Sequence, residues 1–384
     1  MQQPISISGI SSVSALGSSS EAVWNSYILG APLFKKKRIG EAQYWISEID
    51  INTENLLDAL KRDQLAYRKL DRSVLLALLC TKAGLNPENH SGNIGINIGS
   101  SRGATSLFES YHKEFLENGS VSAFTSPTTT LGNISSWVGQ ELGIDGFASG
   151  HSVTCSTALH GVLNGIAWLQ AGMADTFISG GSEAALTPFT LAQMQSLKLY
   201  TTSENSMACE SMRFQKKKNS MVLGEGAAVA ILERDISDKS KAVITGYGCA
   251  TEALSHNSSI TENATCFQRS MKMALDNARL ETVDAVILHA PGTVKGDLAE
   301  KNAIDAVFGR TLPLLTSNKW MLGHTFGASG MMSLEMAVLM IAHNTFVENP
   351  FYENARHLPE VLKTVMVNAV GFGGNAVSII ISKP

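Results

Sequence analysis

A strand-like segment that runs into glycine occurs twice in this chain, at the start and past the middle, and each copy opens a train of alternating strands and helices. The first is Ile5-Ser6-Ile7-Ser8-Gly9-Ile10, which alternates with the two-residue period of a β-strand. The second is Ala242-Val243-Ile244-Thr245-Gly246-Tyr247-Gly248. After the first copy a helix is expected from Ser20, where Ser20-Glu21-Ala22-Val23-Trp24 offers an N-cap and an acidic first turn. Further strands are expected at 93–99, 176–181 and 222–232. After the second copy, 283–288, 314–318, 365–368 and 376–381 read as strands. Two similar βα halves follow, an α/β fold divided into 1–240 and 241–384. No Pro/Ser-rich tract or charge block separates them, so they are expected to share one core.

Composition narrows the class. The 384 residues suffice for a large core, and charged residues make up 17% against the usual ~25%. A disordered chain, a coiled coil and a solenoid of charged helices are excluded. A formal charge of −4 gives no global field for nucleic acid. The cysteines, Cys80, Cys155, Cys209, Cys249 and Cys266, show neither metal-ligand spacing nor the density of a disulfide scaffold. The start, Met1-Gln2-Gln3-Pro4, lacks a basic and apolar leader, and the runs 74–80 and 331–342 are too short to span a bilayer. A cytoplasmic protein with no membrane span is expected. Two basic runs, Lys35-Lys36-Lys37-Arg38 and Lys216-Lys217-Lys218, are either solvated surface or a landing patch for an acidic partner.

The chemistry concentrates at four places. In Ser152-Val153-Thr154-Cys155-Ser156-Thr157, a short strand is expected to end at Thr154; Ala158, Val162, Leu163, Ile166 and Leu169 then recur at helical spacing. Cys155 therefore falls at a strand-to-helix junction, where the helix N-terminus favours a thiolate; a buried structural cysteine is the other reading. Cys80, in an apolar helical run, reads as core. His289 ends the apolar strand 285–288 and opens the turn Ala290-Pro291-Gly292-Thr293, and His324 follows the strand 314–318. Side chains at the carboxyl ends of buried strands commonly face a site. His160 reads as a packing or hydrogen-bonding residue, and His90, His112, His151, His256, His343 and His357 lack such a context. Gly371-Phe372-Gly373-Gly374-Asn375 is no dinucleotide loop, since no helix follows. It suits a backbone loop that approaches a site closely and donates N–H groups to an oxyanion.

Together these motifs resemble the β-ketoacyl-[acyl-carrier-protein] synthases, elongating condensing enzymes of the thiolase superfamily. The resemblance runs from Ile7-Ser8-Gly9-Ile10 to Gly371-Phe372-Gly373-Gly374-Asn375. It is carried by Thr154-Cys155-Ser156, by His289-Ala290-Pro291-Gly292-Thr293 with Gly296-Asp297 and Glu300, and by Lys319 with Gly323-His324-Thr325 and Ala328-Ser329-Gly330. Gly180-Gly181-Ser182-Glu183 and Val222-Leu223-Gly224-Glu225-Gly226 add to it. The resemblance implies a thiolase-like fold of two βα halves in αβαβα layers, the first carrying the nucleophile and the second both histidines. It implies that Cys155 takes an acyl group from acyl carrier protein as a thioester. His289 and His324 then stabilise the enolate formed when malonyl carrier protein loses carbon dioxide, and the carbanion attacks the acyl group. The N–H groups of Cys155 and Phe372 would form the oxyanion hole, with Phe372 also a gate. Lys319, paired with Glu300, would organise the site electrostatically, Thr293 would face the pantetheine arm, and Asp297 would support it. No cofactor or metal is implied; a dimer, with itself or with a related subunit, is.

Two positions depart from the family pattern. Pro291 stands where a threonine is usual, and Met221 where an aromatic is usual, which points to a specialised synthase, of polyene or pigment type, rather than a housekeeping one. The alternative is a non-catalytic chain-length partner, which typically lacks the nucleophile; Cys155, His289 and His324 together argue against it. A thiolase or an initiating synthase acting on coenzyme A pairs its Cys with His–Cys or His–Asn, unlike His324 here.

Overall fold

The computed structural model describes residues 4–84, 92–131, 133–253, 260–355 and 358–384; His90, His256, His357 and the first three residues lie outside the described residues. The strands in chain order are β1 (Ile5–Val13), β2 (Lys35–Ile39), β3 (Ala42–Ser47), β4 (Ile94–Gly99), β5 (Ala148–Ser149), β6 (Thr176–Glu183) and β7 (Leu223–Gly224). They continue with β8 (Gly226–Arg234), β9 (Ala242–Ala250), β10 (Ala285–Ile287), β11 (Leu314–Thr316), β12 (Thr364–Gly371) and β13 (Asn375–Ser382). Ten of them form one sheet in the order β11-β10-β12-β13-β9-β1-β8-β6-β4-β5.

Each half of that sheet repeats one plan. From the junction outward, the strands of each half come first, fifth, fourth, second and third in chain order. The two pairs nearest the junction are antiparallel and the two outer pairs parallel, on both sides. The halves meet where Ile5, Ser6 and Ile7 of β1 pair with Ile244, Val243 and Ala242 of β9. The two glycine-bearing strands from which the sequence reading started are therefore hydrogen-bonded neighbours at the centre of the sheet. The two similar βα halves expected from the sequence are present.

Side-chain alternation along the strands sorts residues into layers. On β8, Ala228, Ala230 and Leu232 face a central core, and Ala227, Val229 and Ile231 an outer one. On β12, Val365, Val367 and Ala369 face the central core while Met366 faces another outer core. The central core encloses the helices Thr157–Gln170 and Ser329–Ala342, the second of which is buried from Ser329 to Ile341. Sandwiched between strands of both halves, that helix has no solvent face, which explains an apolar run without amphipathic period. Helix Arg72–Gly84, with Cys80 in its core face, covers one outer face, and Thr265–Ala278 with Val294–Phe308 covers the other. The layers read αβαβα. Among the described residues no helix is long and apolar enough to cross a membrane.

Two local expectations change. Residues 152–154 form a turn with an isolated bridge rather than the end of a strand, and the preceding strand is only Ala148–Ser149. The first helix does start at Ser20, but its cap is Ser19, whose hydroxyl accepts from the Ala22 N–H.

Candidate active site

The nucleophile candidate is held by a backbone that few residues accept. Thr154 has φ of 48°, and Cys155 follows it immediately before Ser156, the N-cap of helix Thr157–Gln170. The hairpin between β12 and β13 closes over this bend: Thr154 Oγ1 donates to the Phe372 carbonyl at 3.4 Å, and Ser156 Oγ to the Asn375 carbonyl at 3.0 Å. Gly371 faces the bend directly, and a Cβ there would lie 2.5 Å from the Val153 oxygen and 3.2 Å from the Cys155 nitrogen. The glycine loop and the cysteine turn, more than 200 residues apart in sequence, thus form one edge of the site.

Both histidines come to the same place. Their rings stand 5.2 Å apart, centroid to centroid, and perpendicular. His289 follows β10, and its N–H donates to Glu300 Oε1 at 2.9 Å while the Ala290 N–H donates to Oε2 at the same distance. His324 is pinned to the segment around β7: its N–H donates to the Val222 carbonyl at 2.8 Å, and its carbonyl accepts from Gly224 at 3.1 Å. Its Nδ1 has no hydrogen-bond partner among the described residues. Burial holds both imidazoles neutral. It takes His324 down to about 3, with the nearby Lys319 charge adding to the effect. His289 is driven well below its usual value by burial, then by His324 and Lys319.

Cys155, His289, His324, Glu300, Thr293 and Phe372 all line one cavity of about 920 Å³, which Met221 and Pro291 also line. Thr293 caps helix Val294–Phe308 by accepting from the Gly296 N–H. Asp297 lies beneath the turn, where it accepts from the N–H groups of Gly292 and Thr293 at 3.0 Å each and from Lys216 Nζ at 2.6 Å. Lys319 stands behind the cavity wall, fully buried, donating to Asn318 Oδ1 at 3.1 Å and to Ser333 Oγ at 3.4 Å.

Three expectations need correction. The helix N-terminus does not give Cys155 a lowered pKa: burial, reinforced by Glu183, pushes the thiol up to about 12, against the opposing pull of Arg102 and Lys319. No Lys319–Glu300 ion pair within 4 Å occurs among the described residues; Glu300 acts on the His289 turn instead. Burial leaves Lys319 at about 8 despite the raising influence of Glu300, and Glu300 itself at about 7. Nor is Lys216 a surface charge, since it is buried with Asp297. Lys217 and Lys218 remain exposed, and with Lys198 and Lys295, also exposed, they line the same cavity. In the other basic run, Lys35 and Lys37 pair with Glu48, and Lys36 with Glu204. His160 makes a hydrogen bond from Nδ1 to the Ser156 carbonyl at 3.1 Å, as a packing residue would.

Two residues with no role assigned from sequence, Glu183 and Arg102, also belong to the site. Glu183 Oε2 accepts from the N–H groups of Ser101 at 2.8 Å and Gly327 at 3.0 Å, and Oε1 from Ser100 Oγ and the Arg102 N–H. One carboxylate thereby ties the loop after β4 to the turn that carries Phe326. Burial raises it to about 7, moderated by those hydrogen bonds. Both residues sit at carboxyl ends of buried parallel-paired strands, the same signal that singled out His289.

Comparison with known proteins gives a consistent set. The family profile described as beta-ketoacyl synthase, N-terminal domain, matches residues 2–237, and the beta-ketoacyl synthase C-terminal domain matches residues 241–353. A 3-oxoacyl-[acyl-carrier-protein] synthase 2 of Staphylococcus aureus (strain COL) is 28% identical, across 98% of this chain and 97% of its own. In fold, the chain is similar to a chain of the complex of a Xenorhabdus doucetiae ketosynthase with its chain length factor. The TM-score is 0.84 at 21% identity, covering 100% of this chain and 98% of that one. It is also similar to a chain of the complex of a type II polyketide synthase acyl-carrier protein with its ketosynthase bound to a hexaketide. There the TM-score is 0.83 at 19% identity, with both chains covered completely.

Proposed function

The chain belongs to the beta-ketoacyl synthase family, and from that premise we propose that it condenses malonyl and acyl groups delivered by acyl carrier protein, with Cys155 as nucleophile. The observation that carries this reading is the convergence of Cys155, His289 and His324 on one cavity, with the Phe372 loop packed against the Cys155 turn at its edge.

In the first half-reaction the Cys155 sulfur attacks the acyl thioester, the carbon–sulfur bond to the carrier breaks, and the thiol proton ends on the departing pantetheine sulfur. Burial disfavours a free thiolate at Cys155 before substrate enters. The N–H groups of Cys155 and Phe372 receive the oxyanion. In the second, malonyl carrier protein enters, and the neutral imidazoles of His289 and His324 donate N–H bonds to its thioester oxygen. Carbon dioxide leaves, and the enolate attacks the acyl carbon held on Cys155. The Cys155 thiolate is expelled and takes up a proton. Neutral histidines suit this task, since they donate without adding a charge that the cavity would have to solvate. Lys319 supplies a positive potential from behind, while Glu300 and Asp297 hold the His289 and Thr293 turn in position. Thr293 contacts the pantetheine arm.

Lys198, Lys217, Lys218 and Lys295 at the cavity mouth suit an acidic carrier protein. Among the described residues no strand pairs with the outer side of β5, and exposed Phe147 lies beside it. This edge is where a second copy or a related subunit would dock, as sheet edges and apolar patches favour. The Xenorhabdus doucetiae ketosynthase pairs with a chain length factor, which makes a heterodimer as reasonable as a homodimer. The division at residue 240, between β8 and β9, assigns the nucleophile to one half and both histidines to the other. Five cysteines without a disulfide are in keeping with a reducing cytoplasm.

The test is release of carbon dioxide from malonyl carrier protein by wild type, His289→Ala and His324→Ala. Decarboxylation should collapse in both variants while transfer of acyl groups to Cys155 stays measurable. Undiminished decarboxylation in both variants would overturn the assigned roles.

A further inference from the structure

A second cavity, of about 390 Å³, meets the first at Cys155, Phe326 and Phe372, which line both. Its remaining wall is not that of an alkyl pocket. Arg102 enters it with its guanidinium carbon 5.0 Å from the centroid of the Phe326 ring, and a guanidinium nitrogen bonds to Gln193 Oε1. Phe108 and Phe189 complete the aromatic lining, Thr105 and Thr190 add hydroxyls, and Glu109 lines it as well. Glu109 Oε2 accepts from the Phe189 N–H at 3.4 Å, whereas its buried Oε1 has no partner among the described residues.

The position of the guanidinium is engineered by the backbone. Glu183 binds the N–H groups of Ser101, Arg102 and Gly327, so the loop that bears Arg102 and the turn that bears Phe326 are fixed to one carboxylate. Phe326 is held at φ of 41°, a conformation an aromatic residue rarely adopts. Cation and ring are thereby presented together at the point where a chain attached to Cys155 would leave the sulfur. Methylenes laid against the guanidinium would remove solvent from it and return no interaction. A flat unsaturated chain presents a π-face to the guanidinium and to the flanking rings, and gains what the methylenes lose.

Resting on the condensing reading above, we propose that Arg102 is a specificity-determining residue that selects planar, π-conjugated acyl chains over saturated ones of the same length. The discrimination arises in the second cavity, through the Arg102–Phe326 pair and its Gln193 anchor.

The experiment measures the rate of acyl transfer to Cys155 from carrier protein loaded with 2,4-hexadienoyl or with hexanoyl groups, by mass spectrometry of the intact chain. The quantity read is the ratio of the two rates in wild type against Arg102→Met and Gln193→Leu, which cancels the intrinsic reactivity of each thioester. The ratio should fall about tenfold in Arg102→Met, the size of a partly desolvated cation–π contact, and in the same direction but less in Gln193→Leu, which frees the guanidinium without removing it. If Arg102→Met does not fold, Gln193→Leu decides. An unchanged ratio in the folded variants overturns the proposal. A uniform loss with both chains also overturns it, by assigning Arg102 to the Cys155 thiol. Absence of acyl transfer from either donor in wild type overturns the condensing reading together with this one.

Discussion

Gly371 and Thr154 face each other so closely that the Cys155 turn and the glycine hairpin exclude any side chain between them: a Cβ on Gly371 would overlap Thr154 Oγ1. The same contact carries the hydrogen bond from Thr154 to Phe372. The left-handed backbone at Thr154, which aims Cys155 at the cavity, therefore depends on a residue at the other end of the chain.

Gly371→Ala should displace the cysteine turn, the hairpin or both. Shifts of about 1 Å at reacting groups can cost roughly 100-fold in rate, and acyl transfer to Cys155 should fall by at least that order. Gly40→Asn, at an exposed turn with φ of 62° and nothing within 4 Å of the added Cβ, serves as the control, since asparagine tolerates that left-handed backbone, and should leave the rate unchanged. Equal rates for Gly371→Ala and wild type would show that the close approach is not required.

The pH dependence of decarboxylation should follow Lys319 rather than the histidines. Burial lowers Lys319 to about 8, so its positive form is present below that pH and lost above it. His324, at about 3, stays neutral throughout the working range. The rate should fall above about pH 8, approaching tenfold per further unit if the charge is essential, and Lys319→Met should abolish that limb while lowering the plateau. A limb centred near 6.5 to 7 would instead report a histidine or the buried carboxylates Glu300 and Glu183.

Glu335 is a buried carboxylate on the central helix, with Oε2 unpartnered among the described residues and burial raising it to about 7. A folded-state value above the unfolded one means that the native protein binds the extra proton between the two, so this group's stabilising share is present at low pH and lost as pH rises through 7. Glu335→Gln should accordingly gain stability relative to wild type between pH 5 and 8, by of order 2 kcal/mol. Denaturant unfolding at the two pH values reads it, and a pH-independent difference would refute it.

Reversing Lys217 and Lys218 to glutamate should raise KM for carrier-protein substrates about tenfold at low salt, through loss of steering. The same variant should act normally on small acyl thioesters, and its deficit should shrink at high ionic strength. A deficit of the same size on small thioesters would locate the effect inside the cavity.

Much of this was legible from local patterns. The two glycine-bearing strands, the strand-end histidines and the cysteine ahead of a helix each leave a signature within about ten residues. That β1 and β9 pair with each other was not legible, because strand neighbours are chosen by tertiary packing. The raised Cys155 pKa is hidden for a related reason: the helix end is visible in sequence, whereas the burial that outweighs it comes from Phe326, Met221 and their neighbours. Lys216 looked like part of an exposed run because its partner, Asp297, lies 81 residues away. Arg102 and Glu183 stand at strand ends beside glycines, Gly103 and Gly180-Gly181, but without a histidine or cysteine to mark them as chemistry.

The most direct measurement is the mass of the intact chain after incubation with an acyl carrier protein bearing a single defined acyl group. The chain should gain the mass of that group, with the modification mapped to Cys155 and absent from Cys155→Ala. A chain that gains no mass, or carries it on Cys209 or any other residue, would contradict the account.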